Sequence, residues 1–324
     1  MPGDAPSAHA SSLVTLSRNH TSSLAAAWFA GERESAPDVR IAFSHFDRKQ
    51  QRWMPARYVT TREAIGQSVG FGIRRLGNPV LWKDDDDRLH LFVVATGLGG
   101  WAASRIIHLQ QRGDPYALDH LQFEPRQVLP LSWLWNTSHL VRNSPLPLDD
   151  GGAALPIYFE IGAKYPVIAH LSRDGDFVGM TRISARRNLL QPAIVPIDAQ
   201  HWLAYMRMSG GTQRIAVAET RDGGRHWRDL PDLSLPNPNA AVAALQMGRT
   251  QALVFNPSIT TRDALSLALS TNGRDWVTAA ELEAGRAGAE FSYPSMTWAD
   301  NALWVSYTKR REKIAWQQFG LAED

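Results

Sequence analysis

The sequence predicts an all-β chain folded as a six-bladed β-propeller, on three observations. Apolar residues fall in runs of five to seven, rich in Val, Ile, Leu, Phe, Trp and Tyr and bounded by Gly, Asp, Asn and Pro, with almost no helical period. The runs pair into hairpins whose first strands begin near Ser11, Asn78, Ser144, Gln191, Ala240 and Tyr293, at steps of 67, 66, 47, 49 and 53 residues. Most hairpins are followed by a third strand and a polar turn that ends in an aromatic residue. A period near 50 with several strands per unit is the signature of propeller blades, here six blades of four strands.

The hairpins are, in order, SSLVTL-SRNHT-SLAAAWFA, NPVLW-KDDDD-RLHLFVVA, SPLPL-DDGG-AALPIYFE, PAIVP-IDAQ-HWLAYMRM, AVAALQ-MGRT-QALVFN and YPSMTW-ADN-ALWVSYT. Each is joined by turn residues that favour chain reversal. The Asp run at residues 84–87 reads as a solvated hairpin turn, since it lacks the Gly and Glu of a calcium loop. Among the aromatic-ended turns, Thr220, Asp222, Gly224 and Trp227 match the pattern S/T-x-D-x-G-x-x-W, called an Asp-box. Ser270, Asn272, Gly273 and Trp276 form a version one residue short, and residues 44–53 and 172–177 are degenerate copies. In such a turn the carboxylate takes turn amides, Gly supplies a positive φ, and Trp packs the turn onto its neighbour, so these residues point to fold and not to catalysis. No linker divides the chain, which predicts one domain over residues 1–324.

Composition removes several classes of function. Without cysteine, disulfides, thiolate metal sites, iron–sulfur clusters and cysteine nucleophiles are excluded. Ten histidines stand singly, with no H-E-x-x-H pair, and there is no P-loop, dinucleotide fingerprint or G-x-S-x-G elbow, so neither a metal nor another cofactor is expected. The net charge is +2, and 29 arginines against 5 lysines are scattered without a basic tail or helix, which argues against nucleic acid and mildly favours a planar anion as ligand. No apolar run reaches membrane-spanning length, and the N-terminus MPGDAPSAHASS carries no leader pattern. As written the chain reads as cytoplasmic, or as periplasmic or secreted if a leader has been removed.

From His9 to Phe319 the chain resembles the sialidase-like six-bladed propellers, within them the branch with bacterial neuraminidase repeats. The resemblance rests on AWFAGERESAPDVRIAFS, NPVLW, VRNSPLPL with DDGG, LQPAIV, YMRMSGGTQRIAVAETRDGGRHW, LPNPN, RDALSLALSTNGRDW, and EFSYPSM followed by WVSYTKRREKI. Members of that family are exo-glycosidases that hold a carboxylate with three arginines, protonate the leaving group with an Asp and attack with a Tyr. By resemblance, Arg207 and Arg262 are two of the arginines. The third opens the first blade in an Arg-Ile-Pro motif, where this chain has His9-Ala10-Ser11, leaving His9 or Arg33 to substitute. Asp38 or Glu34 would be the proton donor, and Tyr293 resembles the nucleophile. The Glu that activates it corresponds to Gln191, whose amide cannot accept a phenolic proton, so Glu160 or Glu290 would have to serve. Arg142 and Asn143 in VRNSP, with Asn237 and Asn239 in LPNPN, sit in loops that would meet sugar hydroxyls or else merely make turns.

The resemblance implies a retaining exo-glycosidase that releases a terminal acidic sugar (sialic, another ulosonic or a uronic acid) from a glycan. The departures at His9 and Gln191 keep two alternatives open. One is a glycan-binding propeller without catalysis. The other is a polysaccharide lyase, in which Tyr293 serves as base and acid while the arginines neutralise a uronate.

Overall fold

The computed structural model describes residues 1, 3–133 and 136–320. Six antiparallel sheets follow one another along the chain and form the blades of a β-propeller. Blade one contains Ser7–Thr15, Ser22–Gly31, Arg40–Asp47, and the short strands Arg52–Trp53 and Arg57–Thr60, both paired to the third. Blade two is Arg75–Lys83, Leu89–Thr96, Ser104–Arg112 and Gln122–Val128. In blade three the inner strand is split into His139–Val141 and Leu146–Pro147, both paired to Ala153–Phe159, and Tyr165–Leu171 and Phe177–Arg182 complete the sheet. Blades four and five are Leu189–Pro196 to Arg228–Leu230 and Ala243–Met247 to Val277–Ala284. Blade six is Phe291–Ala299, Ala302–Lys309 and Lys313–Gly320.

The expectation of four strands in every blade is therefore corrected at both ends of the ring. Blade one has five strands, and blade six has three among the described residues. The sequence also gave no sign of the helix Arg62–Val69, which one buried residue, Ile65, anchors. Thr61 caps it by accepting a hydrogen bond from the Ala64 amide, and Gly70 ends it at φ 72°. Among the described residues no helix is long and apolar enough to cross a membrane.

A blade that is apolar on both faces must be covered on both, and the core accordingly divides into six clusters, each between two successive blades. Closure falls between blades six and one. There Trp304 lies 4.7 Å from Phe46 and 5.4 Å from Trp316, ring to ring, beside buried Trp28 and Trp53. Polar contacts complete the seam: the Ala8 amide donates to the Arg311 carbonyl, the Ala10 amide to Thr308 Oγ1 and the Leu13 amide to Ser295 Oγ.

On one face the inter-strand turns are locked by side chains. Asp222 Oδ1 accepts the amides of Arg225 and His226, Trp227 donates to the Gly224 carbonyl, and Asn272 Oδ1 does for Arg274 and Asp275 what Asp222 does in its turn. A side chain at Gly224, φ 87°, would come within 2.6 Å of the Trp202 ring. The turn at residues 84–87 departs from its reading as wholly solvated. Asp85 and Asp86 are exposed, but Asp84 is buried, accepts the Asp86 and Arg88 amides, and meets His90 Nε2 at 2.9 Å, which in turn meets His108 at 2.7 Å. The run of like charges conceals two buried acceptors that shape the turn.

We propose that the six blades form one cooperative domain, because every blade buries both faces against neighbours. Limited proteolysis should release no stable half. Recovery of a folded fragment of two or three blades would contradict this.

Candidate functional site

Two layers of residues converge on the propeller axis. The deeper layer comes from irregularities in the inner strands. Pairing skips two residues between His9 and Ser12, Gly77 and Val80, Leu190 and Ala193, and Ser292 and Ser295. Inside these bulges Ala10, Asn78, Gln191 and Tyr293 take left-handed φ of 55°, 43°, 53° and 53°, and Asn239 ahead of blade five takes 55°. Such angles are costly for non-glycine residues, and bulges re-aim side chains, here toward the axis. Three of the bulges continue with Pro79, Pro192 or Pro294, residues with no N–H to leave unpaired where the ladder breaks.

The upper layer comes from the ends of second strands and the loops that follow them. Blades one to three contribute Glu34, Trp101 and Glu160, and blades four to six contribute Arg207, Arg262 and Arg311. Glu34, Asn78, Trp101, Leu140, Tyr158, Glu160, Gln191, Arg207 and Tyr293 line a pit with a cavity volume of about 160 Å³. Around half its rim runs a continuous chain of hydrogen bonds. Arg207 donates through Nη1 to Gln191 Oε1 at 3.1 Å and through Nε to Asn239 Oδ1 at 2.6 Å. The Asn239 carbonyl accepts from Arg262 at 2.6 Å, and Arg262 reaches Glu290 at 3.5 Å. Glu290 accepts from Arg311 at 2.7 and 3.2 Å, and Arg311 also pairs with Glu34. Burial alone would raise the Glu290 carboxyl, but the hydrogen bonds and charge of Arg311 hold it below its ordinary value.

Beneath the rim lies Arg142, buried to 1% exposure in the split inner strand of blade three. Its guanidinium donates to the carbonyls of Ser11 at 3.1 Å, Tyr293 at 2.5 Å and Pro294 at 2.9 Å, and lies 5.2 Å from the centre of the Tyr293 ring. Burial pulls its pKa down to about 10, still a cation at neutral pH. His9 packs edge-on to Tyr293 at 4.5 Å and to Phe29 at 5.3 Å, with neither ring nitrogen hydrogen-bonded. Burial, and next the charge of Arg311, hold it neutral with a pKa near 3. Tyr158 is buried beside them and its hydroxyl accepts from Gln191 Nε2 at 3.3 Å; burial pushes its pKa up. Among the described residues no carboxylate hydrogen-bonds the Tyr293 hydroxyl.

The structure thus brings Tyr293, Glu34, Glu160, Gln191 and Arg207 into one pit, with Arg262, Asn239 and Glu290 along its rim. It assigns other surroundings to the rest. Arg142 is a brace for backbone and not a ligand for sugar, because all three of its donor contacts go to carbonyls. Asn143 likewise spends its amide on the carbonyls of Gln191 and Pro192, at 2.9 and 3.0 Å, and so holds the bulge of blade four. Asn237 is fully buried and closes a turn onto Ala240 through both its oxygen and its nitrogen. Asp38 accepts the Glu32 amide at 2.7 Å and faces a separate cleft with Arg40, Arg62 and Glu63. Arg33 is exposed and does not line the pit, and burial holds His9 neutral, so His9 offers no charge in place of the missing arginine. Arg311 and Tyr158 were not anticipated. Arg311 sits in the charged turn KRREK, which reads as a solvated hairpin end, and Tyr158 in an apolar strand.

A family described as "BNR repeat-like domain" matches residues 22–305. No curated protein sequence matches the chain significantly. Among solved structures, the Hadza microbial sialidase Hz136 is similar at TM-score 0.80 and 16% identity, over 98% of this chain and 66% of that one. Trypanosoma rangeli sialidase gives 0.75 and 12%, over 98% and 55%. The NanB sialidase from Streptococcus pneumoniae gives 0.71 and 11%, over 98% and 69%. The chain spans between about half and two thirds of the length of these neighbours, and at such identity the likeness is one of fold.

Two outcomes follow from the buried groups. Arg142→Met should destabilise the protein by about 2–4 kcal/mol, because three buried carbonyls lose their donor, as urea titration would measure. Stability should also fall with pH. His9 and His108, near 3 and 2 in the folded protein, titrate near 6.5 when unfolded, so the unfolded chain takes up protons first and stability is lost from about pH 6.5 downward. The urea midpoint should be lower at pH 5 than at pH 7.5, and His9→Leu should flatten that dependence.

Proposed function

This chain belongs to the BNR repeat-like family, and from that premise we propose that it is a glycoside hydrolase acting on a terminal acidic sugar held in the axial pit. The observation that carries the reading is the arc Arg207–Asn239–Arg262–Glu290–Arg311, which sets three guanidinium groups around the mouth that holds Tyr293 and Glu34. Arg207 and Arg262 supply forked donors for a planar carboxylate, and Arg311, from blade six, takes the part of the arginine absent from blade one. A sialidase neighbour from Trypanosoma rangeli is known in complex with sialic acid. For this chain the class is wider, namely sialic, other ulosonic or uronic acid.

In this reaction the Tyr293 oxygen bonds to the anomeric carbon as the glycosidic C–O bond breaks. The leaving oxygen takes the electron pair and a proton from Glu34, and water then releases the sugar from the tyrosine with retention of configuration. A phenol of reference pKa near 10 needs an acceptor for its proton. Gln191 cannot be that acceptor, since its amide oxygen takes Arg207 and its nitrogen serves Tyr158. Glu160, two residues beyond Tyr158 and paired with Lys164 at 3.0 Å, is the second carboxylate of the pit and takes this role.

The unbonded Tyr293 hydroxyl favours a second reading, a glycan-binding propeller or a lyase on uronate, and product chemistry separates them. A hydrolase releases a reducing sugar, a lyase yields an unsaturated product absorbing in the ultraviolet, and a binding protein yields neither. Tyr293→Phe should abolish hydrolysis. Turnover within about tenfold of the parent would exclude the covalent route, as that ratio is only ~1.4 kcal/mol of barrier. Arg207→Ala or Arg262→Ala should each weaken acidic-sugar binding by about 1.5–3 kcal/mol, measured by calorimetry, with little change in melting temperature.

A further inference from the structure

The face that carries the pit is divided by chemistry. The arginines of its hydrogen-bonded arc lie on blades four to six, whereas its exposed apolar side chains concentrate on blades two and three. Leu98, in the loop after Leu89–Thr96, is 75% exposed; Trp133, between blades two and three, is 94% exposed; Ile161, after Ala153–Phe159, is 43% exposed. Ile259 is their only counterpart across the pit among the described residues. A bare indole on a soluble surface is a standing cost unless something covers it.

Described residues on both sides of Trp133 are tied to the wall of the pit. Before it, Leu129 is buried and its amide donates to the Ile106 carbonyl. The Asn136 side chain reaches back to the Leu129 carbonyl at 2.7 Å, which holds the two sides together. The residues after it meet both pit-wall elements: Thr137 donates to the Ala102 carbonyl, in the 3₁₀ turn Gly100–Ala103 that carries Trp101, and the Ser138 carbonyl accepts the Glu160 amide. Trp101 itself lies against Gly77, where an added Cβ would approach its ring to 2.8 Å. Trp101 and Leu140 thus give the pit its apolar wall on the side where these residues are anchored.

We propose that Trp133, on the face of blades two and three that also exposes Leu98 and Ile161, is a second carbohydrate subsite, which stacks against the C–H face of the sugar next to the terminal one. A pyranose presents a flat apolar face and a hydroxyl-rich edge, and an open indole that shares a wall with a sugar-sized pit suits that face. The inference rests on the reading of the pit as the site of a glycan terminus.

The test compares Trp133→Ala with the parent on two probes, the methyl α-glycoside of N-acetylneuraminic acid, which fills the pit alone, and sialyllactose, which adds neighbouring sugars. KM for sialyllactose should rise about three- to tenfold, with KM for the methyl glycoside within about twofold and Trp133→Phe largely restored. Equal KM in parent and variant on both probes would overturn the subsite while leaving the pit intact. A parallel rise on both would also overturn it, since Trp133 would then only shape the pit. A parent that neither binds nor cleaves either probe, nor the matching pair of glycosides of another ulosonic or a uronic acid, would overturn the reading of the pit and this inference with it. If instead the parent is a dimer in gel filtration and the variant a monomer, the patch is an interface between copies and the proposal fails.

Discussion

One guanidinium placed in the centre of the protein sets much of what surrounds it. Arg142 is fully enclosed and has no carboxylate partner among the described residues, an arrangement that costs several kcal/mol unless the charge is met in another way. It is met by three carbonyl oxygens from blades one and six and by the nearby face of Tyr293. Those carbonyls are free to accept because the bulges at Ala10 and Tyr293 have turned them out of the sheet ladder. The brace and the bulges therefore require each other. Remove the charge, and three acceptors are orphaned; straighten the strands, and the charge loses its ligands. Asn143, the next residue, does the same for the bulge of blade four, so a dipeptide from blade three fixes the geometry of three other blades.

The left-handed residues at these bulges are the means by which a repetitive fold makes an asymmetric site. Each blade offers the axis one position in its inner strand and one in the loop after its second strand, and the chain fills equivalent positions with unlike chemistry. The inner ring reads Ala10, Asn78, Asn143, Gln191, Asn239 and Tyr293, largely amides with one phenol. The outer ring reads Glu34, Trp101, Glu160, Arg207, Arg262 and Arg311, acidic and aromatic on one half and cationic on the other. Such a gradient orients an anionic ligand before any contact is complete, because an acid finds donors on one side only.

How much of this could be read in the sequence follows from where each signal resides. The blades were legible since strand periodicity and turn residues are local, and their repetition every 50 residues or so leaves few other folds. Arg207, Arg262 and Tyr293 were legible through motifs around them. Arg142 was expected to meet a ligand, and Asn143 either a ligand or a turn, because nothing local separates a polar residue that meets a ligand from one that crosses the axis to brace backbone. Arg311 was missed for the opposite reason. Its turn, KRREK, looks like ordinary solvated charge, and only closure of the ring brings it to Glu34, 277 residues away. The same holds for Glu34 and Asp38: four residues apart in one loop, they face different clefts, and only the Asp38 contact with the Glu32 amide decides which one turns away.

Gln191 is the point at which chain chemistry and pit electrostatics meet. The side chain is 2% exposed and faces in two directions, its oxygen accepting from Arg207 and its nitrogen donating to Tyr158. An amide can do both, and the carboxylate of a Glu of the same length cannot. A carboxylate at that position would pair with Arg207 and offset one of the charges that make the rim attractive to acids, and it could not donate to Tyr158. With Gln in place, Arg207 stays available to a ligand, and Tyr158, kept neutral by burial, is held as an acceptor in the wall. In the reaction proposed above, proton transfer at Tyr293 would then find no partner in the inner ring and would fall to the outer one. On that reading the acid–base chemistry of the pit rests on Glu34 and Glu160, which lie in the loops after the second strands and not on the inner strands that Arg142 and Asn143 brace.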